Sequence, residues 1–69
     1  MLKFTEIFYY DEYLEECAST DFLIDSDNVN DICAAFERDY TEKRVVYIKL
    51  RNGEFWRRVD FDGHWDKEN

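Results

Sequence analysis

Residues 45–61, VVYIKLRNGEFWRRVDF, decide how this chain is expected to fold. Asn52-Gly53 separates two strand-like runs, residues 45–51 and 54–61. Asn-Gly is the strongest two-residue hairpin signal, because a type I′ turn requires a positive φ at both central positions. The stretch therefore predicts an antiparallel β-hairpin.

A two-residue turn also fixes the register of the hairpin, pairing Leu50 with Phe55 and Lys49 with Trp56. Side chains alternate between the two faces of a strand. The face expected to be buried carries Val46, Ile48, Leu50, Phe55, Val59 and Phe61. The face expected to meet solvent carries Tyr47, Lys49, Arg51, Glu54, Trp56, Arg58 and Asp60. Arg57 falls on the apolar face, and its long side chain is expected to reach a carboxylate at the sheet edge.

A helix is predicted immediately before the hairpin, over residues 28–40. Its apolar residues recur at the spacing of one helical face. They are Val29, Ile32, Cys33, Phe36 and Tyr40. Asp27 or Ser26 is expected to cap the N-terminus, and Asp31 falls in the first turn, where a negative charge is favourable.

The first third of the chain allows more than one interpretation. Residues 2–9 fit a strand, whereas a single helix over residues 4–18 is the competing interpretation. Residues 11–18 look helical, and residues 22–24 form either a short strand or a buried loop. The whole chain, residues 1–69, is thus predicted to be one α+β domain. Two short helices pack on a small antiparallel sheet that contains the C-terminal β-hairpin.

The composition favours a folded protein of the cytoplasm. Disordered chains lack aromatic residues, whereas this one has six Phe, five Tyr and two Trp. A transmembrane helix needs about 20 apolar residues in succession, and the sequence has no such run. The N-terminus lacks the pattern of a signal peptide. The expected location is therefore cytoplasmic.

Catalytic and metal-binding patterns are not found in the sequence. Cys17 and Cys33 are expected to be reduced, buried thiols, and a zinc site would require more ligands than His64 can add. Residues 25–28 resemble the start of a calcium loop, but Asn30 and Phe36 stand where that loop needs Gly and Glu. We therefore expect no cofactor, no metal and no enzymatic activity.

Charge is distributed unevenly along the chain, which has a net charge of −8. Residues 1–37 hold ten acids and one base, a net charge of −9, whereas residues 38–69 hold eight bases and seven acids. If residues 11–18 are helical, the like charges there lie one turn apart and destabilise the helix. Because a small domain tolerates this repulsion, the negative electrostatic field itself is expected to have been selected. The residues predicted to bind a partner are Asp11, Glu12, Glu15, Glu16, Asp21, Asp25, Asp27 and Asp31.

In size, acidity and lack of catalytic motifs the chain resembles the phage-encoded DNA-mimic inhibitors, both anti-restriction and anti-CRISPR proteins. The acids of residues 11–31 carry the resemblance. It implies a non-enzymatic inhibitor in the cytoplasm of a bacterial host, without a cofactor. Its target would be a basic nucleic-acid-binding protein, such as a CRISPR effector subunit that reads duplex DNA. The balanced charge of residues 38–69 departs from the more uniformly acidic mimics.

The alternative is a general protein-interaction module, such as an antitoxin-like or regulatory subunit. Its anchors would be exposed aromatics, since Tyr and Trp dominate interface hot spots. The candidates are Tyr9, Tyr10, Tyr13, Trp56 and Trp65. Direct binding of nucleic acid, through the basic and aromatic side chains of the hairpin's polar face, is disfavoured by a pI near 4.4.

Overall fold

A computed structural model of the chain describes residues 3–68, which form five β-strands and one α-helix. In chain order these are β1 (Lys3–Asp11), β2 (Glu16–Ile24), α1 (Val29–Asp39), β3 (Lys43–Lys49), β4 (Phe55–Arg58) and β5 (Trp65–Lys67). The strands form one antiparallel sheet in the order β2-β1-β3-β4-β5. The α+β class is confirmed, with one helix on the sheet where two were predicted. Within residues 3–68, no helix is long and apolar enough to cross a membrane.

The predicted helix forms, and it begins at Val29. Its N-cap is Asn28, whose side chain accepts hydrogen bonds from two backbone N–H groups of the first turn, at 2.9 and 3.2 Å. Asp27 and Ser26 were the wrong choices for this cap, because Ser26 instead accepts a hydrogen bond from the N–H of Asn28 at 3.1 Å. Asp31 lies in the first turn as predicted.

The core lies between this helix and one face of the sheet. Phe36 is fully buried, and its ring packs 5.3 Å from that of Phe22 and 5.6 Å from that of Tyr9. The other buried apolar residues are Ile7, Ile32, Cys33, Val45, Ile48 and Leu50. The predicted apolar face of the helix is therefore confirmed at its three central positions.

The helix predicted over residues 11–18 is wrong, because these residues form the turn and strand ends of a β1–β2 hairpin. The Asp11 carboxylate is nearly buried and accepts hydrogen bonds from the N–H groups of Tyr13 and Leu14, both at 2.9 Å. Glu15 completes the turn with a φ of 55°. In this turn Asp11 satisfies backbone donors, whereas in a helix it would add to the repulsion between neighbouring carboxylates.

The two uncertain segments on either side of this turn are both strands. Residues 3–9 belong to β1, so the strand interpretation is confirmed there, while Leu2 lies outside the described residues. Residues 22–24 are the end of β2, where Phe22 and Ile24 are half-buried against the core.

The C-terminal hairpin forms, but its predicted register is wrong by one residue. Ile48 pairs with Trp56 and Lys49 with Phe55. The loop has three residues, 51–53, because the N–H of Leu50 bonds to the carbonyl of Glu54 at 2.8 Å. A type I turn followed by a glycine of positive φ has this geometry, and Gly53 has a φ of 94°.

The slip of one residue exchanges the two faces of β4. Trp56 packs against the core, and Phe55 lies on the opposite face of the sheet. Val59 and Phe61, predicted to be buried, are exposed. Burying Trp56 removes more apolar surface from water than burying Phe55, so packing favours the observed register. The turn supports it too, since the Asn52 side chain accepts a hydrogen bond from the N–H of Glu54 at 2.9 Å.

A β-bulge in β3 sets which residues face the helix. The register shifts between Phe8 and Tyr9, so that Val46 is an extra residue opposite β1. This insertion lets Val45 and Ile48, three positions apart, both be buried beneath α1. The uncovered side, which we call the helix-free face, then carries Phe8, Tyr47 and Phe55, whose rings pack at centroid distances of 5.0–6.4 Å.

Candidate functional site: the acidic edge of the sheet

The strand order places the acidic part of the chain at one edge of the sheet. β2 is the outermost strand on that side, and β1 lies beside it. The opposite edge is formed by β4 and β5, which belong to the half with balanced charge. A difference seen along the sequence thereby becomes a difference across the molecule.

Two basic side chains of the opposite edge, Arg57 and Lys67, are paired with carboxylates of the same half. Arg57 contacts Asp66 at 2.9 Å and Glu68 at 2.8 Å, and it lies on the helix-free face. The predicted reach of Arg57 to edge carboxylates is thus confirmed, although its face was predicted wrongly. Lys67 contacts Glu54 at 3.0 Å. These contacts leave little uncompensated charge on this edge.

A well-shielded ion pair joins the helix to β4. The Arg58 guanidinium lies 2.7 Å from the Glu37 carboxylate, and their side chains are only 13% and 21% exposed. The same Glu37 oxygen accepts a hydrogen bond from the N–H of Val45 at 2.9 Å. Arg58 also stacks on Phe61, with its guanidinium carbon 4.5 Å from the ring centroid.

The predicted partner-binding acids near the β1–β2 turn have different environments. Asp11 is buried in the turn, where its carboxylate accepts two backbone hydrogen bonds. Glu12 forms an exposed ion pair with Arg44 at 3.2 Å. Glu15 and Glu16 are exposed at the turn and at the first residue of β2. Glu12, Glu15 and Glu16 are therefore close in the chain, but they surround a turn and share no helical face.

The remaining predicted acids are spread along β2 and beyond it. Asp21 is exposed in the middle of β2. Asp25 directly follows β2, Asp27 lies in the connection to α1, and Asp31 is in the first turn of α1. The structure therefore does not gather all eight acids on one surface.

Sequence reasoning missed Glu6, which is brought beside Asp21 by strand pairing. Glu6 of β1 lies directly opposite Asp21 of β2, and both side chains point to the helix-free face. Only recognition of the β1–β2 hairpin could have revealed this like-charged pair. Lys49 lies opposite Glu6 on its other side, in β3. We call Glu6, Glu15, Glu16 and Asp21 the acidic edge.

β2 itself is unusually open to solvent. All of its first six residues, 16–21, are exposed, so this part of the strand is open to solvent on both faces. Beside it on the helix-free face lies a shallow depression of about 400 Å³, lined by Phe8, Cys17, Ser19 and Tyr47 among others. Apolar side chains continue along this face at Phe4, 61% exposed, and Leu23, 46% exposed.

The aromatic residues proposed for the alternative function are not all on the surface. Tyr13 and Tyr10 are exposed, whereas Tyr9, Trp56 and Trp65 pack against the core. The basic and aromatic side chains of β3 and β4 are divided between two faces, since Trp56 and Tyr47 lie on opposite sides of the sheet. Tyr47 instead packs with Phe8 and Phe55 on the helix-free face.

The two cysteines are free thiols in contrasting environments. Cys33 is buried, and this burial raises the pKa of its thiol from 9.0 to about 11. A thiol with so high a pKa is a poor nucleophile at neutral pH. Cys17 is exposed on β2, so the prediction that both thiols are buried is wrong for Cys17. An exposed edge strand has no second layer to cover it.

His, Cys, Asp and Glu side chains are the usual protein ligands of metal ions. Among residues 3–68, no three His, Cys, Asp or Glu side chains are arranged to hold a metal ion. His64 contacts Asp60 at 2.7 Å on the surface, and hydrogen bonds from the backbone N–H of Asp62 and from His64 lower the pKa of the Asp60 carboxyl.

Family models, curated proteins and solved structures give no match to this chain. Its geometry and charge therefore carry the functional conclusion.

Proposed function

We propose that this chain is a non-enzymatic inhibitor that binds the basic surface of a nucleic-acid-binding protein through its acidic edge and thereby excludes the nucleic acid. The observation that carries the proposal is a difference in ion pairing between the two edges of the sheet. Arg57, Arg58 and Lys67 pair with neighbouring carboxylates, whereas Glu15, Glu16 and Asp21 project from an exposed strand and its turn.

Uncompensated carboxylates on a fixed sheet edge attract a complementary basic groove. Glu16 and Asp21 are five residues apart on one strand, which is about 17 Å at roughly 3.4 Å per residue. Duplex DNA covers the same length with about five base pairs. A groove that binds a short duplex segment therefore presents Lys and Arg over a matching distance. In the class that the sequence resembles, a CRISPR effector subunit that reads duplex DNA is a target of this kind.

Displacement of DNA tests the proposal directly. A fluorescent duplex is bound to purified candidate targets, including a CRISPR effector complex, and its anisotropy is followed as this chain is added. We expect release of the duplex at about 0.1 M salt and much weaker release at higher salt, since exposed charges are screened beyond about 10 Å at 0.1 M. Unchanged anisotropy across the whole panel would contradict an inhibitory role at these targets.

A matched pair of variants separates position from total charge. Glu15→Gln, Glu16→Gln and Asp21→Asn together remove three negative charges from the acidic edge. Asp39→Asn, Glu42→Gln and Asp62→Asn remove the same number from exposed positions outside it. The first triple variant should displace the duplex at least about tenfold less well than the second, because charge near the contact dominates at this ionic strength. Equal loss in both variants would show that only net charge matters.

The exposed apolar side chains Phe4 and Leu23 favour a second candidate, a general protein-interaction module. Both lie on the helix-free face, where a partner could bury them. Binding by this route should change little with salt, and it should weaken in a Phe4→Ser, Leu23→Ser variant. A Phe61→Ser variant is the control, because Phe61 is also exposed but shares a surface depression with Ala34 and Glu37 of the helix, away from the helix-free face.

A further inference from the structure

β2 is an edge strand: within residues 3–68 no strand pairs with its outer side, where the Asp21 carbonyl accepts a hydrogen bond from the Thr20 hydroxyl at 3.4 Å. It spans nine residues, and β1 is its neighbour on the inner side. Proteins commonly protect such edges with Pro, Lys, a bulge or a covering loop. β2 contains neither Pro nor Lys, its pairing with β1 is regular over all nine positions, and its first six residues are exposed.

The direction of the β2 backbone groups follows from hydrogen bonds elsewhere in the sheet. The N–H of Glu12 bonds to the carbonyl of Glu42 at 2.8 Å, so even-numbered residues of β1 direct their backbone groups toward β3. The Leu50–Glu54 bond gives the same result, because on the Leu50 side of the bulge it assigns even residues of β3 to β4 and the odd residues Tyr47 and Lys49 to β1. Odd residues of β1 therefore bond to β2.

The partners of those odd β1 residues are the even residues of β2, as in the pair Ile7–Thr20. The odd residues of β2 consequently direct their N–H and C=O groups away from the sheet. They are Cys17, Ser19, Asp21 and Leu23. Their spacing of two residues matches the repeat of an added antiparallel or parallel strand.

We propose that the outer edge of β2 binds an extended, basic segment of the partner protein, which adds to the sheet as a sixth strand. Backbone hydrogen bonds to Cys17, Ser19, Asp21 and Leu23 would hold the segment in register. Lys or Arg side chains at alternate positions would then lie beside Asp21 on the helix-free face, or beside Glu16 on the other face. This inference rests on the proposed function for the charge of the partner.

The negative charge of β2 favours a basic segment of a partner protein over a second copy of the chain. Two copies pairing through β2 would bring together two edges that each carry Glu16 and Asp21, with a net charge of −8 on each molecule. Like charges on neighbouring strands are destabilising. A basic strand meets the same carboxylates favourably, so the acids both oppose self-association and attract the proposed ligand.

Hydrogen exchange with a defined peptide tests the inference. The probe is the end-capped peptide (Lys-Val)₄-Lys, added to the isotope-labelled full chain and followed by NMR. Exchange of the N–H groups of Cys17, Ser19, Asp21 and Leu23 should slow about tenfold or more in the complex. The N–H groups of Ala18 and Thr20, which already bond to β1, should change little.

Two matched controls separate strand addition from charge attraction. The same peptide with N-methyl groups at alternate residues keeps its charge but cannot complete the ladder, and it should bind at least about tenfold more weakly. Ser19→Pro removes one outward N–H without changing the charge of the protein, with Ser19→Ala as its control. The methylated peptide keeps the test valid if the proline variant does not fold.

Three outcomes would overturn the inference. Equal binding of both peptides without protection of the odd residues would mean that charge alone attracts them, which leaves the proposed inhibitory function intact. Absence of binding by the unmodified peptide would exclude a basic strand at this edge. Protection of the same N–H groups without peptide, together with a dimeric mass, would assign the edge to a second copy.

Discussion

The β1–β2 hairpin and the β3–β5 part of the sheet are built from opposite uses of charge. In β3–β5, Arg57, Arg58 and Lys67 pair with nearby carboxylates, and Arg58 is largely shielded from water. In the hairpin, carboxylates project from an exposed strand, and Asp21 lies opposite another acid, Glu6. The first arrangement adds to stability, whereas the second reduces it.

This difference shows where the hairpin obtains its stability. Phe22 and Tyr9 pack on Phe36 of the helix, so the acidic half is held by aromatic contacts. Burial of apolar area can outweigh like-charge repulsion worth less than about 1 kcal/mol per pair. The acidic edge can therefore remain uncompensated while the fold persists.

The largest effect is expected at Phe36. Phe36→Ala should lower the free energy of unfolding by about 3–5 kcal/mol, since it removes the fully buried ring on which Tyr9 and Phe22 of the hairpin pack. Urea denaturation at low and high salt measures this loss, and Phe36→Leu, which keeps most of the volume, is the control. A loss below about 1 kcal/mol would mean that the hairpin is not anchored by this ring.

The shielded ion pair should come next. Glu37→Ala leaves both the N–H of Val45 and the Arg58 guanidinium without their partner, so we expect a loss of about 1–3 kcal/mol. Glu54→Ala, at the exposed pair with Lys67, should cost less than Glu37→Ala, because solvent screens this pair. If thermal unfolding gives the two variants the same stability, shielding does not distinguish these ion pairs.

Alkaline pH should reveal the buried thiol of Cys33. Its pKa is raised from 9.0 to about 11 in the folded chain, so the unfolded chain loses this proton first. The stability contributed by Cys33 is then complete below pH 9 and is lost as pH rises from about 9 to 11. The midpoint temperature of thermal unfolding should therefore fall more steeply over this interval for the parent than for Cys33→Ala. If the two midpoints fall in parallel, the raised pKa of Cys33 is contradicted.

The smallest effect is expected at the acidic edge. Asp21→Asn removes the repulsion with Glu6 and should raise the free energy of unfolding by a few tenths of a kcal/mol at low salt. The gain should vanish near 1 M salt, where the Debye length is about 3 Å. Asp66→Asn is the control, because it removes a carboxylate paired with Arg57 and should not stabilise. A decrease for Asp21→Asn would show that this acid is stabilising.

Local patterns in the sequence determined the helix, the existence of the C-terminal hairpin and the asymmetry of charge. The helix could be predicted because Ile32, Cys33 and Phe36 repeat at its own period, and all three are buried. The hairpin could be predicted because Gly53 permits a positive φ at the turn. Each of these signals lies within a few residues of the structure that it specifies.

Only the tertiary structure decided the register of that hairpin, the fate of residues 11–18 and the surface on which each acid lies. Asn52-Gly53 is compatible with a two- or a three-residue loop, and the choice depends on whether Trp56 or Phe55 packs beneath the helix. Residues 11–18 have helical spacing, but pairing of β1 with β2 buries Phe22 and lets Asp11 hold the turn. Glu6 meets Asp21 through the same pairing across fifteen positions of sequence. Contacts between distant segments settle these features, because burial and strand pairing involve residues that no local window of sequence contains.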